Sequence, residues 1–119
     1  MSKALHLQIV ARAREIISDP NRWTQDELAL GKHGESALPT DADADRFCAV
    51  GALQRAANGL CGGHRLATTL AHTIQDAIER CAKTLRNPNL EFSLENLNDD
   101  HGGHAAVLQL FDDYLAISS

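Results

Sequence analysis

The chain has 119 residues, 44% of them hydrophobic and 23% charged, which suits one domain that buries roughly two thirds of its unfolded surface and excludes a disordered chain. Its formal charge is −5, with no basic run to neutralise phosphates, so a nucleic-acid partner is not expected, and the acidity is too sparse for a DNA mimic. No apolar run has the length of a membrane span, and Met1-Ser2-Lys3 leads into no signal-peptide core, so the expectation is a soluble cytoplasmic protein without membrane contact.

Aromatic residues make up only 4%, which leaves Ala, Leu, Ile and Val to build the core and favours helices over strands. Residues 3–18 read as a helix, with Leu5, Ile9, Val10, Ala13, Ile16 and Ile17 at near-helical spacing and Arg12, Arg14 and Glu15 on the other face. Asp19-Pro20 disfavours its continuation. Thr24-Gln25-Asp26-Glu27 has capping-box spacing and predicts a short helix carrying Leu28 and Leu30, with Trp23 as its staple to the core. Residues 31–42, with Gly31, Gly34 and Pro39, read as one long surface loop that leaves room for a minor hairpin.

Asp41, Asp43 and Asp45 then suit the positive end of a helix predicted over 44–58, which Asn58-Gly59 would stop. Helix capping explains these aspartates better than a calcium loop, because the required glycine and distant glutamate are missing. Ala49, Gly51, Ala52, Ala56 and Ala57 make this helix small-sided, and Gly51 costs about 1 kcal/mol of helix propensity. Close approach of another backbone, within the fold or in a homodimer, is the compensation expected. A third helix over 64–86 carries the stripe Leu66, Leu70, Ile74, Ala77, Ile78, Cys81 and Leu85, which places Cys81 in the core. Residues 89–97 read as an extended piece around Phe92 or one helical turn. A last helix over 103–117 buries Val107, Leu108, Phe111 and Leu115, with Asp112-Asp113 on a solvated face. The fold expected is a mainly α, compact single-domain bundle of about four principal helices over residues 1–119.

Cys48, Cys61 and Cys81 are an odd, unclustered set, which fits free thiols in a reducing compartment. Cys48 is the candidate nucleophile, because a helix N-terminus stabilises a thiolate. His104 is then the base, with His101 its alternative, and Asn98, Asp99 or Asp100 orients it. Against this stand the carboxylates of Asp43 and Asp45, which raise a thiol pKa, and the small aliphatic neighbours that mark a core cysteine. A zinc reading rests on Cys61-Gly62-Gly63-His64 and His101-Gly102-Gly103-His104, two ligand pairs with two-residue spacers. Both Gly-Gly steps also stand where helices start or stop, and loop punctuation is the preferred reading, with no cofactor. His6 and His72 fall within helices and His33 in the loop, without a chemical pattern.

Trp23-Thr24, the block Arg46-Phe47-Cys48-Ala49-Val50-Gly51-Ala52-Leu53, Asn98-Asp99 and the helix led by His104 together resemble an uncharacterised family of short bacterial and phage proteins. The chain departs from that pattern at Leu97, where the family carries tryptophan, and Cys61 and His64 lie outside it. The resemblance implies no activity. The function expected is a small accessory or protein-interaction domain, with an unidentified protein or a second copy as partner. The alternatives are a cysteine hydrolase or acyl-transfer enzyme using Cys48 and His104, and a phage-encoded inhibitor of a host protein.

Overall fold

Apolar periodicity places α1 at Lys3–Ile16, where Ile9, Val10, Ala13 and Ile16 are buried, and Ile17 follows them into the core one residue past the helix. The computed structural model describes residues 3–85, 93–100 and 102–118. Asp19 accepts from the Asn21 N–H and starts a 3-10 turn, Pro20–Arg22, so the Asp-Pro step ends the helix as expected. Strands β1 (Ala29–Gly31), β2 (Ser36–Ala37) and β3 (Ala44–Phe47) follow, then α2 (Ala49–Leu60), α3 (Ala67–Leu85), α4 (Leu94–Asp99) and α5 (Gly103–Ser118). The described helices therefore number five, with a small sheet added to the expected bundle. The Cα radius of gyration of 13.4 Å matches the ~13.5 Å of a compact chain this long.

The sheet has the order β2-β1-β3, antiparallel throughout, with Ala29 opposite both Ala37 and Phe47. The minor hairpin is thus real: Gly34 turns it at φ +81°, and the Gly31 N–H donates to the Glu35 carbonyl at 2.8 Å. The predicted helix at Thr24–Glu27 does not form. Asp26 adopts the left-handed region at φ +69°, and the Thr24 N–H donates to the Phe47 carbonyl at 3.1 Å, so this stretch runs beside β3. Capping-box spacing is a local signal, and here contacts from elsewhere in the chain outweigh it.

The helix predicted over 44–58 starts five residues later, and the aspartates do not cap it. Residues Ala44–Phe47 pair with β1, while Asp41 closes a turn by accepting from the Leu38 N–H at 3.1 Å. Cys48 is the N-cap, its Sγ accepting from the Gly51 N–H at 3.3 Å. Ala49, Gly51, Ala52, Ala56 and Ala57 of α2 are all buried inside the chain, and α2 packs against both α1 and α3. A Cβ at Gly51 would overlap the backbone carbonyl of Leu28, whose oxygen already accepts from the Cys48 N–H at 3.2 Å. Missing bulk on α2 therefore admits the backbone of Leu28, the residue that leads into β1.

In α3 the buried stripe is Ala67, Leu70, Ala71, Ile74, Ile78 and Ala82. Cys81 is only half-buried, one residue off that stripe, and Leu66 precedes the helix and is exposed, so neither belongs to the core. The extended alternative around Phe92 lies outside the described residues, and the helical alternative for 89–97 is met by α4, capped by Ser93. In α5, Val107, Leu110 and Phe111 are fully buried, while Leu108 and Leu115 pack at the core margin. Asp112 is half-exposed and accepts from Arg14 Nε at 2.9 Å and from one of its terminal nitrogens at 3.2 Å, which ties α5 to α1. No helix of the described residues is long and apolar enough to cross a membrane.

Candidate functional site

Three stretches distant in sequence meet at Asn98, a fully buried side chain in the short helix α4. Its Oδ1 accepts from Trp23 Nε1–H at 2.7 Å and from the Ala49 N–H at 2.9 Å. Its Nδ2 donates to the Thr24 carbonyl at 3.0 Å and to Asp99 Oδ1 at 3.2 Å. A primary amide has two acceptor and two donor positions, so its capacity is filled. The neighbouring backbone is stitched in parallel. Gln25 Nε2 donates to the carbonyls of Asn98 and Asp100, and the Asp26 N–H donates to Asp99 Oδ1 at 2.9 Å.

This arrangement also caps α2. The Ala49 and Gly51 N–H groups, which no intrahelical carbonyl can satisfy, go to Asn98 and to Cys48 Sγ. Cys48 is 6% exposed. Burial pushes its thiol pKa up; N–H bonds from Gly51 and Val50 act in the opposite sense, and the charges of Asp99 and Glu95 add to the rise. Cys48 lines a cavity of about 140 Å³ together with Asp26, Glu27, Leu28, Glu95, Asn98 and Asp99. Its helix N-terminus favours a thiolate, but burial among carboxylates prevails.

His104 is half-buried at the start of α5. Its Nε2–H donates to the Ile17 carbonyl at 2.6 Å, satisfying an oxygen just past the end of α1, and its ring tilts against Trp23 with centroids 5.1 Å apart. Because that nitrogen carries the proton, a neutral His104 has Nδ1 as its basic atom. Of the predicted set, Asn98 and Asp99 join Cys48 at the small cavity, whereas His104 is not among the cavity's lining residues. Asp100 is exposed and contributes its carbonyl to Gln25.

Of the four residues in the zinc reading, His101 lies outside the described residues. His64 is exposed and its Nδ1 accepts from the Leu66 N–H at 3.1 Å, Cys61 is half-buried at the C-cap of α2, and His104 is engaged as above. Among the described residues no group of three or more His, Cys, Asp or Glu side chains is placed to hold a metal ion. Gly62 and Gly63, at φ +63° and +77°, form the left-handed turn that stops α2, with the Gly63 N–H on the Asn58 carbonyl at 2.8 Å.

A second, larger cavity of about 480 Å³ lies between α1, the 3-10 turn and the C-terminal half of α2. Ile16, Phe47, Ala56, Gly59 and Leu60 supply its apolar and small lining, and Arg12, Glu15, Asp19, Arg22 and Arg55 its charges. Sequence reasoning missed it. Arg12 reads as an outward helix residue, and nothing in the spacing brings Arg22 and Arg55 together.

Residues 1–116 match the family of unknown function DUF6197, a span that is nearly the whole chain. The chain belongs to that family. Neither a curated protein nor a solved structure matches it. In this DUF6197 member, three blocks singled out in the sequence, Trp23-Thr24, the Cys48 segment and Asn98-Asp99, are in direct hydrogen-bond contact.

Proposed function

We propose that this chain is a small intracellular accessory domain that binds a partner and does no thiol chemistry. One observation carries the reading: the 480 Å³ cavity is lined by three guanidinium groups, two carboxylates and apolar surface, with no thiol, hydroxyl or imidazole among the described residues that line it. The polar groups around Cys48 support it as well. Asn98 has no hydrogen-bonding capacity left for a substrate, His104 is tied to Ile17, and the thiol pKa is raised.

A second reading, a cysteine hydrolase or acyl-transfer enzyme, has one observation in its favour: Cys48, Asn98 and Asp99 line a common cavity. Alkylation separates the two. Iodoacetamide at pH 7.5 followed by peptide mass mapping is expected to leave Cys48 unmodified in the native protein and to modify it after unfolding. Native alkylation of Cys48 faster than that of the half-buried Cys61 and Cys81, with a burst on an activated ester lost in Cys48→Ser, overturns the binding reading in favour of the enzyme.

A further inference from the structure

We propose that the larger cavity binds a small organic oxyanion, a phosphate or carboxylate carried on an apolar body. Its charged lining is Arg12, Arg22 and Arg55 against Glu15 and Asp19. Glu15 is taken by Arg12 at 2.7 Å, and the Asp19 carboxylate accepts from the Asn21 N–H at 2.9 Å. Neither Arg22 nor Arg55 pairs with a carboxylate among the described residues, although the chain carries 16 acidic residues against 11 Lys and Arg.

Both are nevertheless held in place. Arg22 Nε donates to the Asp45 carbonyl at 3.3 Å, which leaves both of its terminal NH₂ groups unengaged. One terminal nitrogen of Arg55 donates to the carbonyls of Pro39 and Asp41, and its guanidinium carbon lies 5.7 Å from the centre of the Phe47 ring. That leaves Arg55 Nε and its other NH₂ group. Arg46, Arg65 and Arg80 also lack carboxylates, but none is held by a backbone carbonyl among the described residues. A guanidinium fixed through one edge, with its remaining N–H groups free, is prepared for an oxyanion at low entropic cost. Ile16, Phe47, Ala56 and Leu60, the last 45% exposed, line the same cavity and give the apolar body its contact. The volume falls in the range of small-molecule sites.

The site stands apart from Cys48, so its failure would leave the alkylation result untouched. The test is a ¹⁵N–¹H NMR titration at constant ionic strength with inorganic phosphate, phenyl phosphate and phenylacetate, with sodium chloride as the blank. Saturable shifts are expected at Arg22 and Arg55 Nε–H and at backbone amides of residues 16–19, 21–22 and 55–60. Phenyl phosphate should bind at least about fivefold tighter than inorganic phosphate, through the added apolar contact. Arg22→Gln should weaken binding about tenfold, whereas Arg46→Gln should leave it unchanged. Arg55→Gln removes a loop contact as well, so Arg55→Lys, which keeps the charge but loses the fork, accompanies it and should bind several-fold more weakly. The proposal is overturned if none of the three probes gives saturable shifts at these positions up to about 20 mM, or if Arg22→Gln binds like the parent chain.

Discussion

Phe47 and Cys48 are consecutive residues that line different cavities, and the two cavities treat their polar groups in opposite ways. Around Cys48, the Asn98 amide oxygen accepts from both the Trp23 indole N–H and the Ala49 N–H, and Cys48 Sγ accepts from the Gly51 N–H. Around Phe47, two arginines are held by backbone carbonyls and keep unengaged donors. The first centre looks reactive in the sequence because it concentrates cysteine, asparagine and aspartate. Its buried polar side chains are satisfied internally, as folding demands. Residue types that could do chemistry here build architecture, and the groups left for another molecule are ones that the sequence does not advertise.

The sharpest way to break this comparison is Asn98→Ala. It strands the Trp23 and Ala49 donors and the Thr24 carbonyl, so a loss of about 3–5 kcal/mol in urea unfolding is expected. A loss under about 1 kcal/mol would mean that the lock is not structural. Gly51→Ala should come next. Helix propensity alone predicts a gain of about 1 kcal/mol, whereas overlap with the Leu28 carbonyl predicts a net loss of about 1–3 kcal/mol, so the sign of the change in melting temperature decides between them.

Cys48 offers a smaller effect with a pH signature. Cys48→Ala should cost about 1 kcal/mol by removing the cap, and Cys48→Ser should recover part of it. Because the folded thiol pKa is raised above its unfolded value, the folded state holds this proton more tightly. Its contribution is fully present below the ordinary thiol range and is lost as pH rises through that range to the folded pKa. Denaturation midpoints measured between pH 7 and 10 should therefore fall more steeply in the parent chain than in Cys48→Ala; parallel curves would show that burial does not perturb the thiol. Smallest of all, Asp112→Asn should cost less than about 1 kcal/mol, because its pair with Arg14 is half-exposed, and 1 M salt should erase most of the difference.

The unevenness of what could be read in advance follows the range of the forces. Asp19-Pro20 marks a real stop because proline acts locally, whereas α2 runs through Asn58-Gly59 to Leu60 and is ended by the left-handed Gly62-Gly63 turn three residues further on. Thr24–Glu27 and Asp41–Asp45 carry equally good local signals and mislead. The first stretch is held by Phe47 and residues 98–100, and the second leads into a strand paired with β1. Leu66 and Cys81 fit a stripe on paper, but Leu66 stands one residue before α3 begins, and the inner face at the other end of the helix centres on Ala82, which leaves Cys81 at its margin.

By itself the sequence determined a mainly helical chain with α1, α3 and α5 close to their observed places, because a helix's hydrogen bonds and its apolar period lie within a few residues of one another. Only tertiary structure decided that residues 44–47 become a strand, that Asn98 closes three segments, and that Arg22 and Arg55 share one groove. Those outcomes depend on partners from 13 to 75 residues away, and local spacing carries no information about such partners.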